Sequence, residues 1–219
     1  MLISEDENGW YTYMNEKRKP YKFPVATFTL LAINVIVFIL CTFKGEMLYN
    51  IGCTGYYLID SPKDYYRLVS AIFLHVDIEH IINNMIFLFC VGQIVENASS
   101  GVFLTFSFFA TGIIGNVVSL YWEEYSMNYS ASVGASGAVF GIMGVFVAFV
   151  FSKRVMGKTV SPKRVILSVL CSLYVGFRSA GINNAAHVGG LVSGLIIGMI
   201  YCAFVKHKKG KNGNEGYII

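Results

Sequence analysis

Charge is what this sequence has least of: 14% of its 219 residues are Asp, Glu, Lys or Arg, against 55% apolar and 15% aromatic. With a mean hydropathy of +0.57, that scarcity excludes a single soluble domain, whose core could not hide so much apolar surface. The chain reads instead as an all-α, polytopic membrane protein. Stretches without charge mark six candidate spans: Phe23 to Phe43, the region around Ile81 to Val95, Gly101 to Trp122, about Ala131 to Ser152, Val165 to Phe177, and Ala185 to Val205. The first run leads into another span rather than a soluble sequence, so it reads as a helix and not a signal peptide.

Other shortages narrow the chemistry. Histidine occurs four times. His75 and His80 stand five residues apart, about 140° around a helix, and HExxH is absent, so no zinc site is expected. None of the 13 carboxylates lies in the fourth or sixth span, which removes the usual third member of a triad from those helices; Asp77, at the edge of the second span, stays open. Gly134-Ala135-Ser136-Gly137-Ala138 lacks the last glycine of a G-x-S-x-G elbow and follows no strand, which excludes the α/β-hydrolase arrangement. The five cysteines, at 41, 53, 90, 171 and 202, form neither a disulfide framework nor a metal spacing. No internal repeat or second domain is visible.

The basic residues set an orientation. With the N-terminus cytoplasmic, 13 of the 17 lysines and arginines fall on inner segments and only Lys44, Lys63, Arg67 and Arg178 on outer ones, a strong positive-inside bias that requires an even number of spans. Both termini are then cytoplasmic, with a polar segment at 1–22, a six-helix core at 23–205 and a basic tail at 206–219. In a bacterium the location would be the plasma membrane. The net charge of +4 reflects these flanks and gives no reason to invoke nucleic acid. The long outer loop from Lys44 to about Ser70 carries Tyr49, Tyr56, Tyr57, Tyr65 and Tyr66, which suit a headgroup layer. Glu123 to Ser130 reads as an acidic outer segment, and its Asn128-Tyr129-Ser130 is a glycosylation triplet of a common kind.

Two polar residues stand out inside the spans. A serine in a membrane helix is ordinarily bland, bonding its own helix or easing contact. Ser136, however, has a counterpart in His187, the one Asp, Glu, Lys, Arg or His between Ser179 and Val205; such a residue in a span faces a cavity or a partner. Gly137, Gly141 and Gly144 form a smooth stripe just after Ser136, and Gly190, Gly194 and Gly198 form another just after His187. Such stripes let two helices approach closely. A serine beside a histidine is nucleophile plus general base, so a dyad is expected. His80 and Asn84, at i and i+4 on the second span, share a face and could meet a developing oxyanion together with the Ser136 N–H; interhelical hydrogen bonding is their bland alternative. Asn83 and His75 read as structural, and His207 as a solvated tail residue.

Together the Gly134 to Gly137 GASG, the His80-x-x-x-Asn84 pair after His75, the Ala186-His187-x-x-Gly190 run and Tyr66-Arg67 resemble a rhomboid intramembrane serine protease. The resemblance extends from roughly Phe23 to Val205. It implies a six-helix core with a water-filled cavity, Ser136 as nucleophile, His187 as base and His80 with Asn84 as oxyanion partners. It further implies hydrolysis of single-span transmembrane proteins and no cofactor. Two positions depart from the family: Tyr66 stands where tryptophan is frequent, and Phe140 where tyrosine is. Phe140 keeps a ring to stack on His187 without the hydroxyl. Arg67 reads as pinning the outer loop, and Glu96 as a capping or structural residue at the inner end. Thirteen residues separate Arg164 from Arg178, about 20 Å of helix, so the fifth span is short and is either a lateral gate or a simple mismatch. A non-catalytic chaperone or adaptor on the same fold is the competing function, and it would have no use for both Ser136 and His187.

Overall fold

The six apolar stretches fold as six helices in the computed structural model, which describes residues 3–5, 11–13, 22–152, 155, 160–179 and 181–205. A short antiparallel pair, β1 (Ile3–Glu5) with β2 (Tyr11–Tyr13), precedes them. The bundle consists of α1 (Val25–Lys44), α4 (Ile78–Ala98), α5 (Gly101–Ser126), α6 (Ser136–Phe151), α7 (Pro162–Arg178) and α8 (Asn184–Phe204). Two short helices, α2 (Glu46–Gly52) and α3 (Arg67–Ser70), lie in the long tyrosine-bearing loop between α1 and α4. The basic tail 206–219, with His207, lies outside the described residues, as does most of the segment between α6 and α7.

Helices α1, α4, α5 and α8 are each long and apolar enough to cross a membrane. Their outward faces carry Ile36, Leu40, Ile82, Ile86, Val192 and Ile196, a surface that suits lipid and not water. α6 differs from these. It has 16 residues, of which 12 are buried, and it packs against α8, α5, α4 and α7. A helix apolar all round belongs at the centre of a bundle, and there it need not match the hydrocarbon thickness by itself. α7 has 17 residues, more than the 13 between its arginines because it includes both arginines and starts at Pro162. It buries Val165, Val169 and Gly176 and exposes Leu167, Leu170 and Phe177.

Two boundaries differ from the hydropathy pattern. α4 begins at Ile78 because Asp77 caps it, accepting a hydrogen bond from the His80 N–H at 2.7 Å. The fourth span, expected from about Ala131, becomes helical only at Ser136. Ser132 instead pairs with Thr54 through both backbone hydrogen bonds, at 3.0 and 2.6 Å, and Gly134 has φ of +132°, which stops a helix from extending backwards.

Glu96 acts as a cap, on α1 rather than on its own helix. Its carboxylate accepts from the N–H groups of Ala26 and Thr27, at 2.9 and 2.8 Å, and from Thr27 Oγ1 at 2.7 Å. α1 has no side-chain cap from its own N-cap residue, Pro24, so Glu96 meets donors that would otherwise be unsatisfied. Glu96→Ala is expected to lower stability by about 2 kcal/mol, as charge-assisted bonds to buried donors are lost; denaturation of the purified variant measures it.

The long loop is closed by side chains. Tyr66 Oη donates to Ile51 O at 2.7 Å, Arg67 to Asn50 O and Cys53 O at 3.0 and 3.1 Å, and Ser70 Oγ to Gly52 O at 2.8 Å. These bonds hold the carbonyls at the end of α2. Asn116 on α5 donates to Leu68 O at 2.8 Å, and Tyr49 Oη to His75 O. Arg67 thus anchors the loop.

Candidate active site

Ser136 is the first residue of α6, and the backbone just before it determines its surroundings. The Gly134 N–H donates to Ala71 O at 2.8 Å. A Cβ on Gly134 would come within 2.7 Å of His80 Cε1 and Nε2 and 3.7 Å of Ser136 Oγ. Glycine at this left-handed position therefore lets the His80 ring close over the loop beside the serine. The first bond within α6 runs from the Val139 N–H to Ala135 O at 2.9 Å, which leaves the N–H groups of Ser136, Gly137 and Ala138 without helical acceptors. Ser136 itself is half-buried.

His187 lies in the first turn of α8. Asn183 caps that helix through Oδ1, which accepts from the Ala186 N–H at 3.0 Å. The imidazole is buried and stacks on Phe140, with ring centroids 4.3 Å apart and planes 18° apart. Phe140 is one turn beyond Ser136 on the same helix face, so the ring lies over the serine's side of α6. Glycine makes the approach possible: a Cβ on Gly190 would run into the Gly137 carbonyl oxygen, and one on Gly194 into that of Gly141. Gly141 likewise seats Thr111 of α5. Among the described residues the buried His187 Nδ1 has no hydrogen-bond partner, and no carboxylate bonds the ring. Asp77, left open above as a third acid, caps α4 through Oδ1 and makes no hydrogen bond to the His187 ring among the described residues. Gly176 of α7 covers the ring, since a Cβ there would lie 3.5 Å from His187 Nδ1.

α4 brings His80 and Asn84. His80 Nδ1 is buried and has no partner among the described residues. Asn84 is buried and donates one amide hydrogen to the His80 carbonyl at 3.0 Å; its second remains available. His75, read above as structural, touches the loop directly. Fully buried, its Nε2 accepts from the Ala135 N–H at 3.5 Å while Nδ1 faces Phe73 O at 3.3 Å. Only a neutral imidazole can accept at Nε2. Burial, with the His80 ring 5.0 Å away adding to it, pushes His75 down to about 4. His75 thus holds the residue before Ser136, a role its spacing from His80 did not reveal.

A second set of residues forms a network that the sequence reading did not reveal. Asn183 Nδ2 donates to Ser119 Oγ at 2.6 Å and to Ser132 Oγ at 2.7 Å; Ser119 Oγ donates to Glu123 Oε1 at 3.2 Å, and the Tyr56 N–H to Glu123 Oε2 at 3.0 Å. This partly buried chain ties the start of α8 to α5, to the loop before Ser136 and to the tyrosine-rich loop. Glu123 is 4% exposed and lies within α5, which continues to Ser126. The expected acidic loop from Glu123 is therefore a helix end, and one of its two carboxylates is internal.

A hydroxyl at a helix start, an imidazole over the same face and several unengaged donors nearby can supply a nucleophile, a base and stabilisation of an oxyanion. Comparison with known proteins agrees in kind. Residues 62–204 match the family model described as the Rhomboid domain. The chain is 32% identical over 177 residues to "Rhomboid protease GluP" of Bacillus subtilis (strain 168), covering 78% of this chain but 34% of that protein. It is 28% identical over 190 residues to "Putative rhomboid protease YdcA" of the same organism, covering 85% and 92%. A further relative is "Inactive rhomboid protein 1" of Danio rerio, 26% identical over 148 residues, 66% of this chain and 16% of that protein. This chain thus spans about a third of GluP and nearly all of YdcA. With the domain match extending over more than half of its length and a polytopic helical bundle, the chain belongs to the rhomboid family.

Proposed function

We propose that this protein is an intramembrane serine endopeptidase that hydrolyses peptide bonds in or near the outer part of single-span membrane helices through a Ser136–His187 dyad. The observation that carries the reading is His187, stacked on Phe140 above the serine's face of α6 and bonded to no carboxylate among the described residues. The imidazole accepts the Ser136 hydroxyl proton as Oγ attacks the scissile carbonyl carbon. The oxyanion that forms is met by the Ser136 N–H, His80 and Asn84. Collapse breaks the C–N bond, and the proton on His187 passes to the leaving amine. Water, deprotonated by the same imidazole, then releases the acyl group as a carboxylate and restores the serine. The lysine and arginine distribution supports cytoplasmic termini and a site facing outward. The sequences named as proteases among the relatives, and the presence of both dyad residues here, favour catalysis over a non-catalytic role on the same fold.

The purified full chain in detergent is expected to cleave a model single-span substrate at one position. A folded preparation that leaves intact a panel of such spans containing glycine or proline would overturn the reading. His80→Ala and Asn84→Ala are each expected to lower kcat on the order of 10- to 1,000-fold with little change in thermal stability, because their contribution arises as charge develops. Normal turnover per folded molecule would reduce both residues to interhelical contacts.

A further inference from the structure

A cavity of about 640 Å³ opens between the tyrosine-rich loop and the second half of α5, away from Ser136 and His187. Its walls include Tyr56, Tyr57, Tyr65 and Tyr121, with Asp60 and Glu124 beside them. Val117, Leu120, Tyr121 and Glu124 follow the i, i+3, i+4, i+7 spacing of one α5 face, so the wall passes from apolar to anionic over two turns, about 10 Å. Trp122 and Tyr125 are exposed on the same stretch of α5. Tyrosine and tryptophan rings collected at one end of spanning helices mark the level of lipid headgroups. No lysine, arginine or histidine among the described residues forms an ion pair with either carboxylate. Among the described residues Glu124 accepts only the Tyr56 hydroxyl, at 3.2 Å, Asp60 has no hydrogen bond or ion pair, and the one ion pair joins Arg67 to Asp64.

We propose that this cavity binds the alkylammonium headgroup of a membrane phospholipid. The cation sits against the tyrosine faces and between the two carboxylates, and the glycerol and first acyl carbons run down over Leu120 and Val117. Aromatic rings attract an ammonium group electrostatically, and a cavity with tyrosine walls and unpaired carboxylates repels an anionic headgroup. The apolar lower wall selects an amphiphile over a free amine. The proposal is independent of the catalytic reading.

The test uses the full-length protein in detergent, titrated with phosphatidylethanolamine, phosphatidylcholine or phosphatidylglycerol and followed by native mass spectrometry and thermal unfolding. Phosphatidylethanolamine and phosphatidylcholine are expected to be retained and to raise Tm, and phosphatidylglycerol to do neither. The double variant D60N/E124Q keeps an acceptor for Tyr56 and is expected to unfold at the wild-type temperature without lipid, while binding the ammonium lipids about tenfold more weakly. Equal retention of phosphatidylglycerol, or undiminished binding by the folded double variant, would overturn the proposal. So would stabilisation by a lysine peptide with none by the ammonium lipids, which would make a polypeptide side chain the occupant. If the double variant proves unstable, Tyr57→Ala alone, at an exposed ring, must show the same selective loss.

Discussion

Ser136→Ala is expected to abolish both labelling by a serine-directed fluorophosphonate and cleavage of a transmembrane substrate, a fall of at least about 10⁴-fold in turnover. The hydroxyl sits at the first residue of α6 and, among the described residues, makes no hydrogen bond that alanine would break. Alanine suits a helix start beside Gly137, so the variant is expected to fold and to unfold at the wild-type temperature. Loss of both signals with unchanged unfolding then assigns the reaction to one oxygen atom. Equal labelling of the alanine variant would remove Ser136 from the mechanism. The His187 ring gives a companion result: without it the hydroxyl has no base, and labelling is expected to fall with cleavage even though the serine is present.

Gly194→Val is expected to cost about 3 kcal/mol or more, the largest stability effect of any single change considered. A Cβ at this position runs into the carbonyl oxygen of Gly141, and a backbone atom in a packed helix cannot step aside as a side-chain tip can. α6 and α8 would have to separate, and the contact of His187 with Phe140 would be lost with them. Activity should therefore fall further than the loss of folded protein explains. Val192→Ala, two residues away on a half-exposed surface, is expected to change stability by no more than about 0.5 kcal/mol. Unfolding and specific activity measured for both variants check the pair; wild-type stability in Gly194→Val would show that the helices do not depend on that contact.

The separation between sequence and structure follows from the range of the interactions involved. Apolar stretches between charged flanks were enough to locate six helices, because a helix buried in lipid satisfies its own backbone and needs no distant partner to be recognised. Ser136 and His187 stood out for a similarly local reason, as polar groups beside glycine stripes in otherwise apolar runs. Contacts between segments far apart in the chain were not legible in this way. Periodicity carries no trace of the Thr54–Ser132 pairing that delays α6 to Ser136, of the His75 imidazole on the Ala135 N–H, or of Glu96 reaching across 70 positions to Ala26. Glu123 makes the same point: beside Glu124 it looks like part of an acidic loop, yet one helical step of about 100° turns it inward to Ser119 and Tyr56 while its neighbour faces the cavity. The sequence by itself determined the solvent, the helices and the unusual polar groups, since each is a property of a short segment. Only the tertiary structure decided which donors, rings and carboxylates surround those groups, because directional contacts between remote segments exist only once the helices have packed.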